Sequence, residues 1–184
     1  NVCRIKIFAK VAQNQLTEAI NIAVELLQQL GVTFPQNPTQ NDILQATSEI
    51  QQLIGDGEIQ DLIGLPWMTD AEKIAIVQIA NSIIPAAYTV GSPLLPLVIA
   101  LPVKLSIQYG NTLASGFAYA CYSMIACNLV RDVNTGADFA ELALQVAAKL
   151  DPNDAKVVKP EAYATAALFG IHRRNRTKET LTLA

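Results

Sequence analysis

Apolar residues recur every three or four positions through most of the chain, the spacing that places them on one face of an α-helix. The clearest case covers residues 16–30, and Gly31 with Val32 behind it supplies a left-handed cap and its hydrophobic contact. A shorter segment of the same kind covers residues 5–12. The turn between them, residues 13–15, is so short that it predicts an antiparallel helix hairpin.

The same pattern predicts eight helices in all, and no strand, because no segment alternates apolar and polar residues over a useful length. Thr69 and Glu72 form a predicted capping box for the fourth helix. Pro85 is expected to kink or end that helix, and Pro102 to bend the next one. Residues 58–63 predict one further turn. The six later helices cover approximately 39–55, 69–84, 93–109, 112–131, 137–150 and 160–174.

The predicted fold class is all-α, with antiparallel helix hairpins stacked as a tetratricopeptide-like solenoid or as an irregular helical bundle. In tetratricopeptide repeats, the second helix of a pair carries small residues where the first helix must come close. Residues 19–26 follow that order less well, and the two matches have no fixed period, so both arrangements stay open. The better match consists of Ala140, Ala143, Leu144, Ala147, Leu150, Asp151 and Pro152.

Length and composition indicate one folded domain over residues 1–184. The chain has 184 residues, of which 51% are hydrophobic and 16% charged, which excludes ordinary disorder. A formal net charge of −3 gives no electrostatic basis for binding nucleic acid or anionic lipid. The chain begins without Met and without a leader pattern, so we interpret it as a fragment of a larger protein.

The three cysteines predict a reducing compartment. Cys3, Cys121 and Cys127 are odd in number, lack the spacing of a metal knuckle or redox pair, and have apolar neighbours. We therefore expect reduced core residues in a cytoplasmic protein.

The middle of the chain is almost free of charge, since Lys104 is the one charged residue between Lys73 and Arg131. A membrane span needs about 18 or more mostly apolar residues, and the longest apolar run here, residues 94–103, is too short. The favoured explanation is that these helices lie centrally in the stack and are covered by neighbours. A further alternative is that part of this surface covers another domain or a second copy of the chain.

The sequence predicts no catalytic residue, no cofactor and no metal ligand. Residues 55–58 hold two glycines but have acidic neighbours and no Lys, so they indicate a helix end and turn rather than a phosphate loop. Asp56, Glu58 and Asp61 fit a solvated turn better than a calcium loop. His172 is the only histidine, and its basic neighbours do not orient it as a general base.

Candidate partner contacts come from aromatic and basic side chains, which are frequent in protein interfaces. For the aromatic residues, which include Tyr119 and Tyr122, packing in the core is the alternative, and we expect it for most of them. The basic cluster near the end of the chain suits a helix C-terminus or an acidic partner surface. The candidates are Trp67, Tyr88, Tyr109, Arg173, Arg174 and Arg176.

Several segments together resemble the helical region of very large cyanobacterial signalling proteins. In that family, a serine/threonine kinase and an ATPase-like domain precede the helical region, and GAF and histidine-kinase domains follow it. The resemblance extends to about residue 150, whereas Pro102 and the tail after Pro152 depart from it, and no kinase or ATPase motif is present. The segments are residues 30–38, 59–70, 83–88, 104–111, 115–120 and 136–139.

The resemblance implies a non-catalytic helical module that couples domains or holds a partner protein within a multidomain signalling kinase. We expect protein partners, no nucleic acid and no membrane. The alternative function is a homodimerisation segment that uses the uncharged central helices, and an enzymatic function comes third.

Overall fold

The computed structural model describes residues 2–150 and, farther along, Ala162, Thr165 and Ala166. These residues contain no β-strand, although an isolated β-bridge joins Trp67 to Asn111. A 3₁₀-helix (Ile59–Gly64) precedes the fourth α-helix, and a π-helical turn (Ala126–Val130) follows the sixth. The α-helices are α1 (Val2–Ala12), α2 (Leu16–Gln29), α3 (Gln40–Ile54), α4 (Ala71–Thr89), α5 (Leu95–Tyr109), α6 (Ser115–Ile125) and α7 (Val133–Ala148).

The helices pack as hairpins that share one core, which confirms the predicted all-α class. Helix α1 pairs with α2, and α4 packs on both of them and on α5. Helix α5 contacts α4, α3 and α6, while α6 pairs with α7. Because α3 packs on α5, the neighbour relations depart from chain order, as in an irregular bundle of hairpins.

Two helix ends have caps that the local sequence explains. Gly31 has a φ of 80° after α2, and the N–H of Val32 donates to the Leu27 carbonyl at 2.9 Å, as in a Schellman cap. Thr39 caps α3, where its backbone N–H donates to the Asp42 carboxylate at 2.7 Å and its hydroxyl accepts from the Asp42 N–H at 3.3 Å. Local sequence therefore determines both ends.

Helix α4 differs from its prediction at both ends. Its N-cap is Asp70, whose carboxylate accepts from the N–H groups of Glu72 and Lys73, so the predicted capping box at Thr69 is wrong. Pro85 does not end the helix, which continues to Thr89. Packing against three other helices compensates for the hydrogen bond that the proline removes.

The boundaries of α5, α6 and α7 also differ from the predicted ones. Helix α5 begins at Leu95 and contains Pro102 in its interior. The predicted helix over residues 112–131 is shorter, because α6 passes into the π-helical turn and Arg131 then takes a φ of 63°. Asp132 caps α7 by accepting from the Thr135 N–H at 3.0 Å, so α7 begins four residues before its predicted start at Ala137.

Every residue of α6 is buried, and α7 approaches it closely. A Cβ added at Gly136 would lie 2.2 Å from the Cys127 Sγ, and one added at Gly116 would lie 3.2 Å from the Ala143 carbonyl oxygen. The rings of Tyr122 and Phe139 pack edge to face across this contact, with their centroids 4.6 Å apart. The predicted small residues of α7 do lie where the partner helix comes close, since Ala140, Ala143 and Ala147 are buried.

The uncharged middle of the chain is chiefly core, as the favoured explanation predicted. Helices α4, α5 and α6 supply most of the largest buried cluster. Within the ranges that the structure describes, no helix has both the length and the apolar character that a bilayer crossing requires.

Most of the eighth predicted helix, residues 160–174, lies outside the described residues. Three of its residues are described, and all three are helical: Ala162, Thr165 and Ala166. Both alanines are fully buried, and Thr165 lines an apolar depression together with Ile84 and Phe117.

Gly110 provides a test of the close contact at the end of α5. Its φ is 106°, and an added Cβ would lie 2.3 Å from the Pro66 carbonyl oxygen. We expect Gly110→Ala to lower the free energy of unfolding by about 3 kcal/mol, because backbone strain and overlap add. The control is Gly31→Ala, which has a similarly positive φ, 80°, but no atom within 4 Å of the added Cβ. It should cost only about 1 kcal/mol in urea unfolding, and equal losses would contradict this account.

Candidate interaction surface

Three exposed apolar side chains lie at one end of the bundle, and we call this group the aromatic corner: Trp67, Tyr109 and Leu113. Their exposed fractions are 51%, 46% and 45%. Trp67 belongs to the loop before α4, Tyr109 is the last residue of α5, and Leu113 lies in the loop that leads to α6. Large apolar side chains that stay half exposed are typical of contact sites for proteins.

Asn111 holds the two loops of the aromatic corner together. Its backbone N–H donates to the Pro66 carbonyl and its own carbonyl accepts from the Met68 N–H, both at 2.8 Å. Its side-chain amide donates to the Leu62 carbonyl at 2.9 Å. Its side-chain oxygen accepts from the Tyr119 hydroxyl at 2.8 Å. These four bonds connect the 3₁₀-helix, the loop before α4 and helix α6.

A buried polar network continues from Asn111 into the start of α6. The Ser115 hydroxyl accepts from the Thr112 N–H at 2.8 Å and lies 2.7 Å from the Ser106 hydroxyl on α5. Burial raises the pKa of Tyr119, so its hydroxyl stays protonated and can donate to Asn111. Because these buried polar groups have partners, the backbone beneath the aromatic corner is fixed in place.

Two lysines border the aromatic corner. The Lys73 ammonium lies 5.9 Å from the centroid of the Tyr109 ring and 3.1 Å from the Glu72 carboxylate. The Lys149 ammonium donates to the Ile63 carbonyl at 2.9 Å. Trp67 and Lys149 also line a depression of about 100 Å³. Each of the two aromatic side chains thus has a lysine beside it, Lys149 for Trp67 and Lys73 for Tyr109.

The structure separates the aromatic candidates into three groups. Trp67 and Tyr109 belong to neighbouring segments, since Trp67 forms a β-bridge with Asn111, two residues after Tyr109. Tyr88 is 55% exposed but lies near the other end of α4, fifteen residues or about 22 Å along the helix from Lys73. Tyr119 and Tyr122 are buried in the core, but the other three are exposed, so the expectation that most of these aromatic residues pack in the core is wrong.

The basic candidates Arg173, Arg174 and Arg176 lie outside the described residues, as does His172. Their role as partner contacts stays a prediction.

Sequence reasoning did not single out Leu113 or Asn111. The periodicity of a helix marks the faces that need cover, but both residues belong to a loop. A signal for Asn111 is its position directly after the glycine that ends α5, where an Asn side chain commonly bonds to the backbone.

The described residues include the segments that the sequence analysis considered for a phosphate loop, a metal site and a disulfide. Residues 55–58 form a helix end and turn, in which Gly55 has a φ of 63° and the Asp61 carboxylate accepts from the Glu58 N–H at 3.1 Å. Among the residues that the structure covers, no group of three His, Cys, Asp or Glu side chains is placed to hold a metal ion. Cys121 and Cys127 are buried and form no disulfide, while the Cys3 side chain is not described.

No protein-family model, no curated protein and no solved structure matches this chain.

We expect Asn111→Ala to destabilise the corner strongly. The substitution removes the side-chain bond to the Tyr119 hydroxyl and the one to the Leu62 carbonyl, which keeps its bond from the Leu65 N–H, so unfolding in urea should require about 2 kcal/mol less free energy. Tyr119→Phe removes only one of these bonds and should cost about 1 kcal/mol. Similar losses for both variants would mean that the Leu62 bond contributes little.

The ion pair between Lys104 and Glu49 predicts a dependence of stability on pH. The Lys104 hydrogen bond, and then that of Gln45, hold the pKa of Glu49 below its usual value of 4.5. A carboxylate whose pKa is lowered by folding stabilises the protein above the unfolded pKa, and the contribution is lost as the pH falls through the folded pKa.

Near neutral pH, Glu49→Gln should therefore lower the free energy of unfolding by less than about 1 kcal/mol, because both side chains are partly exposed. The difference between wild type and variant should shrink as the pH falls from about 5 to about 2. Urea titrations across this range measure it, and a difference that stays constant would contradict the assignment.

Proposed function

We propose that this chain is a non-catalytic helical module that binds a partner protein, or couples neighbouring domains, within a multidomain signal-transduction kinase. It acts by contact alone. A partner that binds one arrangement of the parent protein better than another shifts the population toward that arrangement by the difference in its two affinities.

The observation that carries this proposal is the aromatic corner. Exposed Trp and Tyr side chains supply large contact areas at a small cost in side-chain entropy. Here they project from loops that the bonds of Asn111 and the network around Ser115 hold in place. A preorganised apolar surface avoids the cost of ordering loops on binding, which favours association.

The resemblance to the helical region of large cyanobacterial signalling proteins also supports this proposal. Two of its segments, residues 59–70 and residues 104–111, meet in space at Asn111 and contain Trp67 and Tyr109 of the aromatic corner. Segments that are far apart in the chain thus contribute to one surface. The kinase parent and its serine/threonine kinase, ATPase-like, GAF and histidine-kinase domains follow from the resemblance. A cytoplasmic location is part of the same proposal.

A homodimer is the second candidate, and it needs an exposed apolar surface on the central helices. Helix α6 offers none, because all its residues are buried. At the end of α4, however, Tyr88 and Val90 are 55% and 44% exposed, and Tyr109 and Leu113 are exposed at the other end of the bundle. Light scattering at micromolar concentration tests this candidate, since a monomeric mass removes it.

Partner binding is tested with the double substitution Trp67→Ser and Tyr109→Ser. We expect the proteins that co-purify with the wild-type chain to include one that the double variant recovers at least about tenfold less, because the variant loses aromatic contacts at the centre of the surface. The measurement is quantitative mass spectrometry of the recovered proteins, followed by titration of the purified pair.

The matched control is Ile5→Ser with Phe8→Ser, which removes two exposed apolar side chains, 65% and 49% exposed, from α1. It should leave that partner bound. Arg173→Glu, Arg174→Glu and Arg176→Glu, combined in a third variant, test the basic cluster separately. If every recovered protein binds the corner variant and the α1 control equally, the corner is not the contact surface.

A further inference from the structure

A groove of about 260 Å³ runs between α3, α5 and the loop before α3, and we call it the α3–α5 groove. Its lining includes none of the residues of the aromatic corner and none of the depression beside Trp67. Its volume falls below the range of about 300–1,000 Å³ that is usual for small-molecule pockets. An open groove of this size accepts side chains of a protein segment more readily than a whole small ligand.

The α3 wall of the groove carries two carboxylates. Asp42 and Glu49 both line it and are seven residues apart, so they lie on one face of the helix about 10.5 Å from each other along its axis. The side chain of Gln45, between them, donates to Glu49 at 3.0 Å. The opposite wall supplies one cation, Lys104, which pairs with Glu49. The groove therefore keeps an excess of negative charge.

Basic residues are absent from the part of the chain that contains α3. Residues 11–72 contain nine carboxylates and no Lys or Arg, and this range includes all of α2, α3 and the 3₁₀-helix. Because both charged residues of α3 are acidic, this wall of the groove attracts a basic partner and repels nucleic acid.

Apolar side chains form the rest of the lining. Leu97, Ala100 and Leu101 face the groove from α5, and Phe34 and Ala46 face it from the loop and from α3. An apolar floor beside a row of carboxylates complements a helix that has an apolar stripe flanked by basic residues.

We propose that the α3–α5 groove binds a basic amphipathic helix of a partner protein. Two Lys or Arg residues of that helix, spaced seven residues apart, face Asp42 and Glu49. The apolar residues between them pack on Leu97 and Leu101. This inference goes beyond the proposed function, because it assigns a partner chemistry to a second surface that does not involve Trp67.

The probe is a fluorescent peptide about 15 residues long, built from leucine and lysine with the lysines on one face of the helix. A peptide with glutamate in place of lysine is its counterpart. We expect fluorescence anisotropy to show binding of the lysine peptide and at least about tenfold weaker binding of the glutamate peptide.

Two variants of the groove should shift the affinity for the lysine peptide in opposite directions. Lys104→Gln removes the like charge and should tighten binding about threefold, whereas Glu49→Gln removes an opposite charge and should weaken it about threefold. The control is Glu25→Gln, the same change in charge at an exposed position on α2, which should leave the affinity within about twofold. Circular dichroism confirms that each variant is folded.

Opposite shifts in affinity distinguish a direct contact from a loss of structure, because damage to the groove would weaken binding in both variants. Equal affinity for the two peptides, or shifts of the same sign in the two variants, would overturn the proposal. The variant Trp67→Ser with Tyr109→Ser should bind the lysine peptide like wild type. The proposal for the groove and the proposal for the aromatic corner can therefore fail independently.

Discussion

The hydrogen bonds of Asn111 are the constraint on which the candidate surface depends. Its backbone and side chain together bond to the loop before α4, to the end of the 3₁₀-helix and to α6. A buried polar group without a partner costs about 1–3 kcal/mol, so the loops cannot move apart without losing several such bonds. Trp67 and Tyr109 stay half exposed because the backbone that carries them is fixed from below.

The burial of α6 shapes the rest of the molecule. A helix covered on all sides cannot carry charge without a large desolvation cost, which explains why its residues are uncharged. Close packing against α7 requires Gly116 and Gly136, since a Cβ at either position would crowd its neighbour. The two proposed contact surfaces, an apolar end and a groove lined by two carboxylates, therefore lie outside α6.

Much of the fold could be read from local pattern. Helical periodicity located seven α-helices within the described residues, and Gly31 and Thr39 marked ends that the structure confirms. The failures have two different physical causes. Pro85 is tolerated inside α4 because contacts with neighbouring helices outweigh the local preference. The start of α4 is decided locally, since Asp70 caps the helix in place of Thr69.

The sequence by itself determined that the chain is helical, that small residues of α7 meet a partner helix and that the uncharged middle is core. It named Trp67 and Tyr109 as candidate contacts but did not distinguish them from Tyr88, which lies near the other end of α4. Only the tertiary structure decided which were exposed, and only it brought Asn111 beneath them. Periodicity shows which face of a helix needs cover, whereas the identity of the covering element depends on contacts between residues far apart in the chain.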